Sequence, residues 1–185
     1  MAGMLFVLFA VAVLLTSRCS CAGPSYPELN PLLGKYQNPS QCMPIQETWY
    51  AVYRNYENDP SFGGAAKCGR FSSLGPEENG VYPMLVQFKE RSITVVTNLT
   101  SYEGYDVDNL QYFHAIGQDH SVLLYIAYVG CQECVLFRNS YISDDACTLV
   151  VPESALGKHT CCDFIFDLLC GTTPKYYIYD ESCAN

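Results

Sequence analysis

The chain of 185 residues carries 19 acidic and 10 basic side chains, a formal net charge of −9, and no Lys/Arg cluster. That balance argues against nucleic acid and anionic lipid surfaces as partners, and solubility alone accounts for acidity of this size. The length suits one domain with one core or one cavity, and no repeat or low-complexity tract divides it.

Met4 to Leu15 is a continuous apolar run, followed by polar Thr16, Ser17 and Arg18 and by small residues at Ser20 and Ala22. Although a basic n-region is missing, this reads as a secretory signal peptide over residues 1–22, shorter than the ~20 apolar residues that span a bilayer. Removing 22 of 185 residues leaves a 163-residue domain, 23–185, with charge −10 because Arg18 departs. No other stretch is apolar for long enough to cross a membrane, so a soluble, secreted domain is expected. Cys19 and Cys21 leave with the signal, and nine of the 11 cysteines remain: Cys42, Cys68, Cys131, Cys134, Cys147, Cys161, Cys162, Cys170 and Cys183. In an oxidising compartment these form a disulfide framework of up to four bridges with one thiol left over.

Apolar and polar residues alternate from Trp49 to Arg54, and Asn58-Asp59-Pro60 with Gly63-Gly64 then supplies turn chemistry before Cys68. From there to Val151 the pattern is almost entirely β. The predicted strands are Trp49–Tyr53, Lys67–Ser72, Tyr82–Lys89, Ser92–Leu99, Gln111–Ile116, Val122–Val129, Val135–Arg138 and Cys147–Val151. Short strands with local turns suit an antiparallel meander that removes its edges by closing into a barrel, with a two-sheet sandwich as the alternative. A barrel of eight strands is just wide enough to be filled by its own side chains or to hold one small ligand. The 15 Tyr, nine Phe and single Trp could line such a hollow, or form ordinary core.

Within Thr160 to Gly171 the period changes to that of a helix. Cys161, Phe164, Ile165, Leu168 and Leu169 fall at i, i+3, i+4, i+7 and i+8, which predicts that this stripe packs on the outside of the barrel, with Thr160 as N-cap and Gly171 as the stop. Tyr176 to Tyr179 then forms a terminal strand or extended strap ending at Cys183. The Cys131-Gln132-Glu133-Cys134 spacing is also that of a zinc knuckle or redox pair. Secretion, the vicinal Cys161-Cys162 and the lack of a His at ligand spacing favour structural disulfides, and no metal or cofactor is expected.

At Tyr56-Glu57-Asn58-Asp59-Pro60-Ser61-Phe62-Gly63 with the following Cys68, the chain resembles the tick salivary lipocalins that include the histamine-binding proteins. The resemblance continues through Cys134-Val135-Leu136, Cys147-Thr148-Leu149-Val150, the Cys161-Cys162 helix and Tyr179-Asp180-Glu181-Ser182-Cys183. It implies an all-β, eight-stranded lipocalin (calycin) barrel with a C-terminal helix packed outside. It also implies a Cys68–Cys183 bridge and a bridge from Cys134 to Cys161 or Cys162, with Cys162 preferred; Cys42, Cys131, Cys147 and Cys170 stay unassigned.

By the same resemblance the function is capture of a small host inflammatory mediator in saliva, by a monomer. Amine binders of this family resemble aromatic boxes with buried carboxylates, because a cation leaving water must be paired. Tyr56, Asp59 and Phe62 match one such box, with Phe113 and Val150 as further ligand-binding candidates. Positions where amine binders carry acids align with Val95, Leu124, Val135 and Thr148. A pocket that has lost those acids favours an eicosanoid-type ligand over a biogenic amine, with Arg54, Arg70, Lys89 or Arg91 near the mouth to meet its carboxylate.

Two other classes compete. Catalysis lacks a G-x-S-x-G element, a reduced Cys or a His paired with a nucleophile, and a haem carrier would need His114 to point inward. A protein-binding inhibitor of host complement or haemostasis on the same barrel leaves little mark in a sequence. Asn98-Leu99-Thr100 fits a glycosylation sequon at Asn98.

Overall fold

The computed structural model describes residues 25–184 apart from Glu90 and Thr173, so the signal peptide expected over residues 1–22 lies outside the described residues. Eight antiparallel strands follow in order: β1 (Trp49–Arg54), β2 (Gly69–Ser73), β3 (Tyr82–Phe88), β4 (Arg91–Thr100), β5 (Leu110–Ala115), β6 (Ser121–Gly130), β7 (Cys134–Arg138) and β8 (Cys147–Pro152). Each pairs with its successor, and β8 returns to β1, so the meander closes into a barrel rather than a sandwich. Closure is short on one side, where only Trp49 and Tyr50 of β1 pair with Phe71 and Arg70 of β2. The rest of that edge is covered by β9 (Tyr176–Tyr177), which pairs with Tyr53 and Arg54. Among the described residues no long edge is left as a template for other chains.

The strand expected from Lys67 begins instead at Gly69. Cys68 takes a left-handed φ of 60°, its amide donates to the carbonyl of Ile178 at 2.9 Å, and its sulfur is bonded to Cys183. The residue is an anchor before the strand. The alternation of β1 is also overridden, because all six of its residues are buried. One face looks into the barrel, and the strap and helix cover the other.

Helix α1 (Thr160–Cys170) lies outside the barrel against β7 and β8, and of the expected stripe Ile165 and Leu169 pack against the core beneath it while Cys161, Phe164 and Leu168 do not. Cys162, Phe166 and Cys170 are its buried residues, whereas Phe164 and Leu168 are each 68 % exposed and Cys161 is exposed. The buried face is therefore centred one position on from the apolar stripe and shares Ile165 and Leu169 with it. Two disulfides, Cys134–Cys162 and Cys147–Cys170, pin the helix to the strands at both ends and set its rotation. Thr160 is the first helical residue rather than the cap; His159 stands at the N-cap with no side-chain bond, and Gly171 ends the helix at φ 83°. Asp163, in the first turn, accepts from the Tyr53 hydroxyl at 2.6 Å.

The bridges are Cys42–Cys131, Cys68–Cys183, Cys134–Cys162 and Cys147–Cys170, with Cys161 free. Members of both the C-x-x-C element and the vicinal pair therefore go different ways. Between α1, β7 and the N-terminal segment, Arg138 makes a bidentate pair with Glu28 at 2.7 and 2.9 Å and lies over the Tyr26 ring. Both charges are buried. Their further hydrogen bonds are what make such burial tolerable: Arg138 also donates to the carbonyls of Asp144 and Leu169.

No helix among the described residues is long and apolar enough to cross a membrane. His114 is exposed on β5 and bonded to Ser121, so it does not point into the barrel. Asn98 sits half-buried on β4, between inward-facing Thr97 and Leu99.

Candidate ligand site in the barrel interior

The barrel is packed by Trp49, Met84, Phe113, Leu124, Phe137 and Val150, among others, and keeps small hollows along its axis. One, of about 50 Å³, lies beneath the N-terminal segment and is lined by Pro39, Met43, Ile45, Trp49, Gln111 and Val135, with others. Cys42–Cys131 ties that segment over this end. A second, of about 30 Å³, lies deeper, beside Arg54, Asp59, Phe62, Leu124, Asn139 and Thr148. Phe71, Phe113, Phe137 and Val150 are walls of both. A third, of about 130 Å³, opens at the far end between Pro60–Phe62 and the strand ends at Ile93, Ala115 and Val122. Phe62 meets Phe113 edge-to-face at 5.5 Å, and the two rings divide the second hollow from the third.

The turn after β1 places Phe62 there. Asp59 Oδ1 accepts from the amides of Ser61 and Phe62 at 3.0 and 2.9 Å, an Asx-type turn that folds the segment back into the barrel. Asp59 and Gly64 then exchange backbone hydrogen bonds. Gly63 is required, since its φ is 82° and a Cβ would meet the Phe88 ring at 2.6 Å.

The other Asp59 oxygen accepts from the hydroxyls of Tyr56 at 2.7 Å and Tyr141 at 2.8 Å, and lies 3.8 Å from Arg54 Nη1. Asp59 is 2 % exposed and Arg54 4 %. Arg54 also donates from Nη2 to the carbonyls of Glu57 and Gly64 and lies over the Tyr56 ring. Burial, with Asp59 beside it, pushes the Tyr56 phenol above its ordinary value, and burial with Tyr56 and Asp59 beside it does the same to Tyr141. Both phenols stay neutral donors.

Of the predicted ligand residues, Asp59 and Phe62 line the second hollow, and Phe113 and Val150 line both of the first two. Tyr56 lines neither but holds Asp59 from behind. Val135, Leu124, Thr148 and Val95 all line one of the three hollows, so the acid-free positions are interior ones. Of the bases expected near a mouth, Arg54 is instead buried against Asp59, because it ends β1 on the inward side opposite Tyr53. Lys89 and Arg91 are exposed at the β3–β4 turn, and Arg70 lies on β2 away from the lining. Sequence reasoning missed Tyr141 and Asn139. They stand in the irregular β7–β8 loop, where no periodicity marks which side chains turn inward.

A closed eight-stranded barrel with an external C-terminal helix, four disulfides and an aromatic interior defines a lipocalin-like protein. The profile of the tick histamine binding protein family matches residues 27–185, and the chain belongs to that family. No curated protein matches the sequence. Among solved structures, the fold is similar to one described as the crystal structure of an AM182 serotonin complex, with a TM-score of 0.54 and 18% identity over 90% of this chain and 97% of that one.

Proposed function

We propose that this protein is secreted into saliva and captures one molecule of a small host mediator without turnover, favouring a ligand with an apolar body, such as an eicosanoid, over histamine. The observation that carries this reading is Asp59. Among the described residues it is the one carboxylate lining the two inner hollows, and it is already paired with Arg54 and saturated by two amides and two phenols. A second buried cation would find no unpaired partner there. Apolar walls, by contrast, favour hydrocarbon at about 0.8 kcal/mol per buried CH₂. Family membership, and the serotonin named in the related structure, support a small-molecule ligand. A long chain would need Phe62 to swing aside and join the inner hollow to the one beyond.

The single tryptophan, Trp49, lines the first hollow and serves as an intrinsic reporter. Fluorescence titration with leukotriene B4, a thromboxane analogue, serotonin and histamine is expected to saturate at one equivalent with the apolar ligands and to leave histamine weak. Nanomolar histamine binding overturns the preference. A second reading, a barrel that inhibits a host protein through its loops, is favoured by the size of the hollows. Those of about 50 and 30 Å³ fall far below the ~300 Å³ of ordinary ligand pockets. A barrel that stays empty by native mass spectrometry while a host protein co-purifies would select it.

A further inference from the structure

Two residues that line the second hollow each hold a buried polar atom without a partner. Arg54 Nε is an unused donor and Asn139 Oδ1 an unused acceptor, and both side chains line the same space of about 30 Å³. Their residues are 4 % and 2 % exposed. An unmade hydrogen bond at such depth is costly, more so for a charged group.

The surrounding network determines which atoms are free. The phenol of Tyr141 has one hydrogen, and it goes to Asp59 Oδ2. Its oxygen must therefore accept from Asn139 Nδ2, 3.3 Å away, which fixes the amide orientation and leaves Asn139 Oδ1 as the acceptor without a partner. By the same logic Tyr56 donates to Asp59 and accepts from the Thr148 hydroxyl at 2.8 Å, leaving the Thr148 oxygen as a further acceptor.

Charge narrows the choice of occupant. Arg54 and Asp59 cancel, so the lining is neutral. A carboxylate could accept from Arg54 Nε but cannot donate to Asn139 and would add an uncompensated negative charge. An ammonium could donate to Asn139 but cannot accept from Arg54 and would add a positive one. A hydroxyl does both and adds no charge.

We infer that the second hollow is a hydroxyl subsite, in which a phenol or alcohol on the ligand accepts from Arg54 Nε and donates to Asn139 Oδ1 while its apolar body lies between Phe71, Phe113 and Phe137. This deepens the capture reading and rests on it. It names the polar group that the apolar ligand carries at its buried end.

A matched pair of neutral probes tests it. Calorimetric titration with 5-hydroxyindole and with indole is expected to give at least about tenfold tighter binding of the hydroxylated compound, since a hydrogen bond to a charged donor has that worth. Asn139→Leu should bring the ratio of the two affinities toward one. Equal affinities in the unmodified protein would mean that the subsite holds water only and would overturn the inference, with capture of the apolar mediators still standing. Failure of both probes while leukotriene B4 binds also overturns it, and failure of every small molecule removes the capture reading as well. If Asn139→Leu does not fold, the ratio in the unmodified protein decides alone.

Discussion

Arg54 and Asp59 are opposite charges buried beside the second hollow, and their pairing makes the cost of mutation asymmetric. Asp59→Ala strands the guanidinium and also releases the turn that carries Phe62, so a loss of about 3–5 kcal/mol is expected in urea unfolding. Asp59→Asn with Arg54→Met removes both charges and should recover much of that loss. The tyrosines impose a pH limit of a different kind. The folded-state pKa values of Tyr53, Tyr56 and Tyr141 are raised above 10.0, chiefly by burial. The unfolded chain therefore gives up these protons first as pH rises. Their contribution is fully present below the unfolded value and is lost as pH climbs beyond it. Urea midpoints should be insensitive to these groups up to about pH 9 and fall above about pH 10, with the rise in phenolate absorbance for these three rings coinciding with unfolding.

The helix is where sequence pattern and tertiary structure part most clearly. Its 161–164–165–168–169 stripe has helical period and apolar character, yet only Ile165 and Leu169 of it pack against the core, and the fully buried residues are Cys162, Phe166 and Cys170. An isolated stripe says which residues could pack, not what covalent anchors hold them. With Cys134–Cys162 and Cys147–Cys170 closed, the rotation of the helix is determined. Phe166 is 0 % exposed and sits edge-to-face on Tyr53 at 4.8 Å, whereas Phe164 is 68 % exposed. Phe166→Ala should accordingly cost about 3–5 kcal/mol, and Phe164→Ala should stay within about 0.5 kcal/mol, both read from urea midpoints. The reverse ranking would mean that the helix packs as its periodicity suggests.

On the scale of the whole barrel, the join between β1 and β2 is the weak seam, with two paired positions, and the C-terminal strap reinforces it. Cys68–Cys183 closes a separation of 115 residues across that seam. In the chain-entropy model such a bridge contributes about 4–5 kcal/mol, a large share of the ~5–15 kcal/mol typical of a domain. Cys68→Ala with Cys183→Ala should therefore lower the unfolding free energy measured in urea by that amount. Cys161→Ser, at an exposed free thiol, should change that free energy by no more than about 0.5 kcal/mol.

The strands, their order and the barrel they close were legible in the sequence, because alternation and turn residues are local signals and a meander pairs each strand with the next. The Asp59 turn was legible for the same reason: Asn58-Asp59-Pro60 and Gly63-Gly64 specify backbone geometry within a few residues. Four other features were not: the face of the helix, the Cys42–Cys131 and Cys147–Cys170 bridges, the inward turn of Tyr141 and Asn139, and the neutralisation of Asp59 by Arg54. Each depends on which distant segments meet once the barrel has closed. Composition and period carry no record of those meetings, and tertiary packing alone decided them.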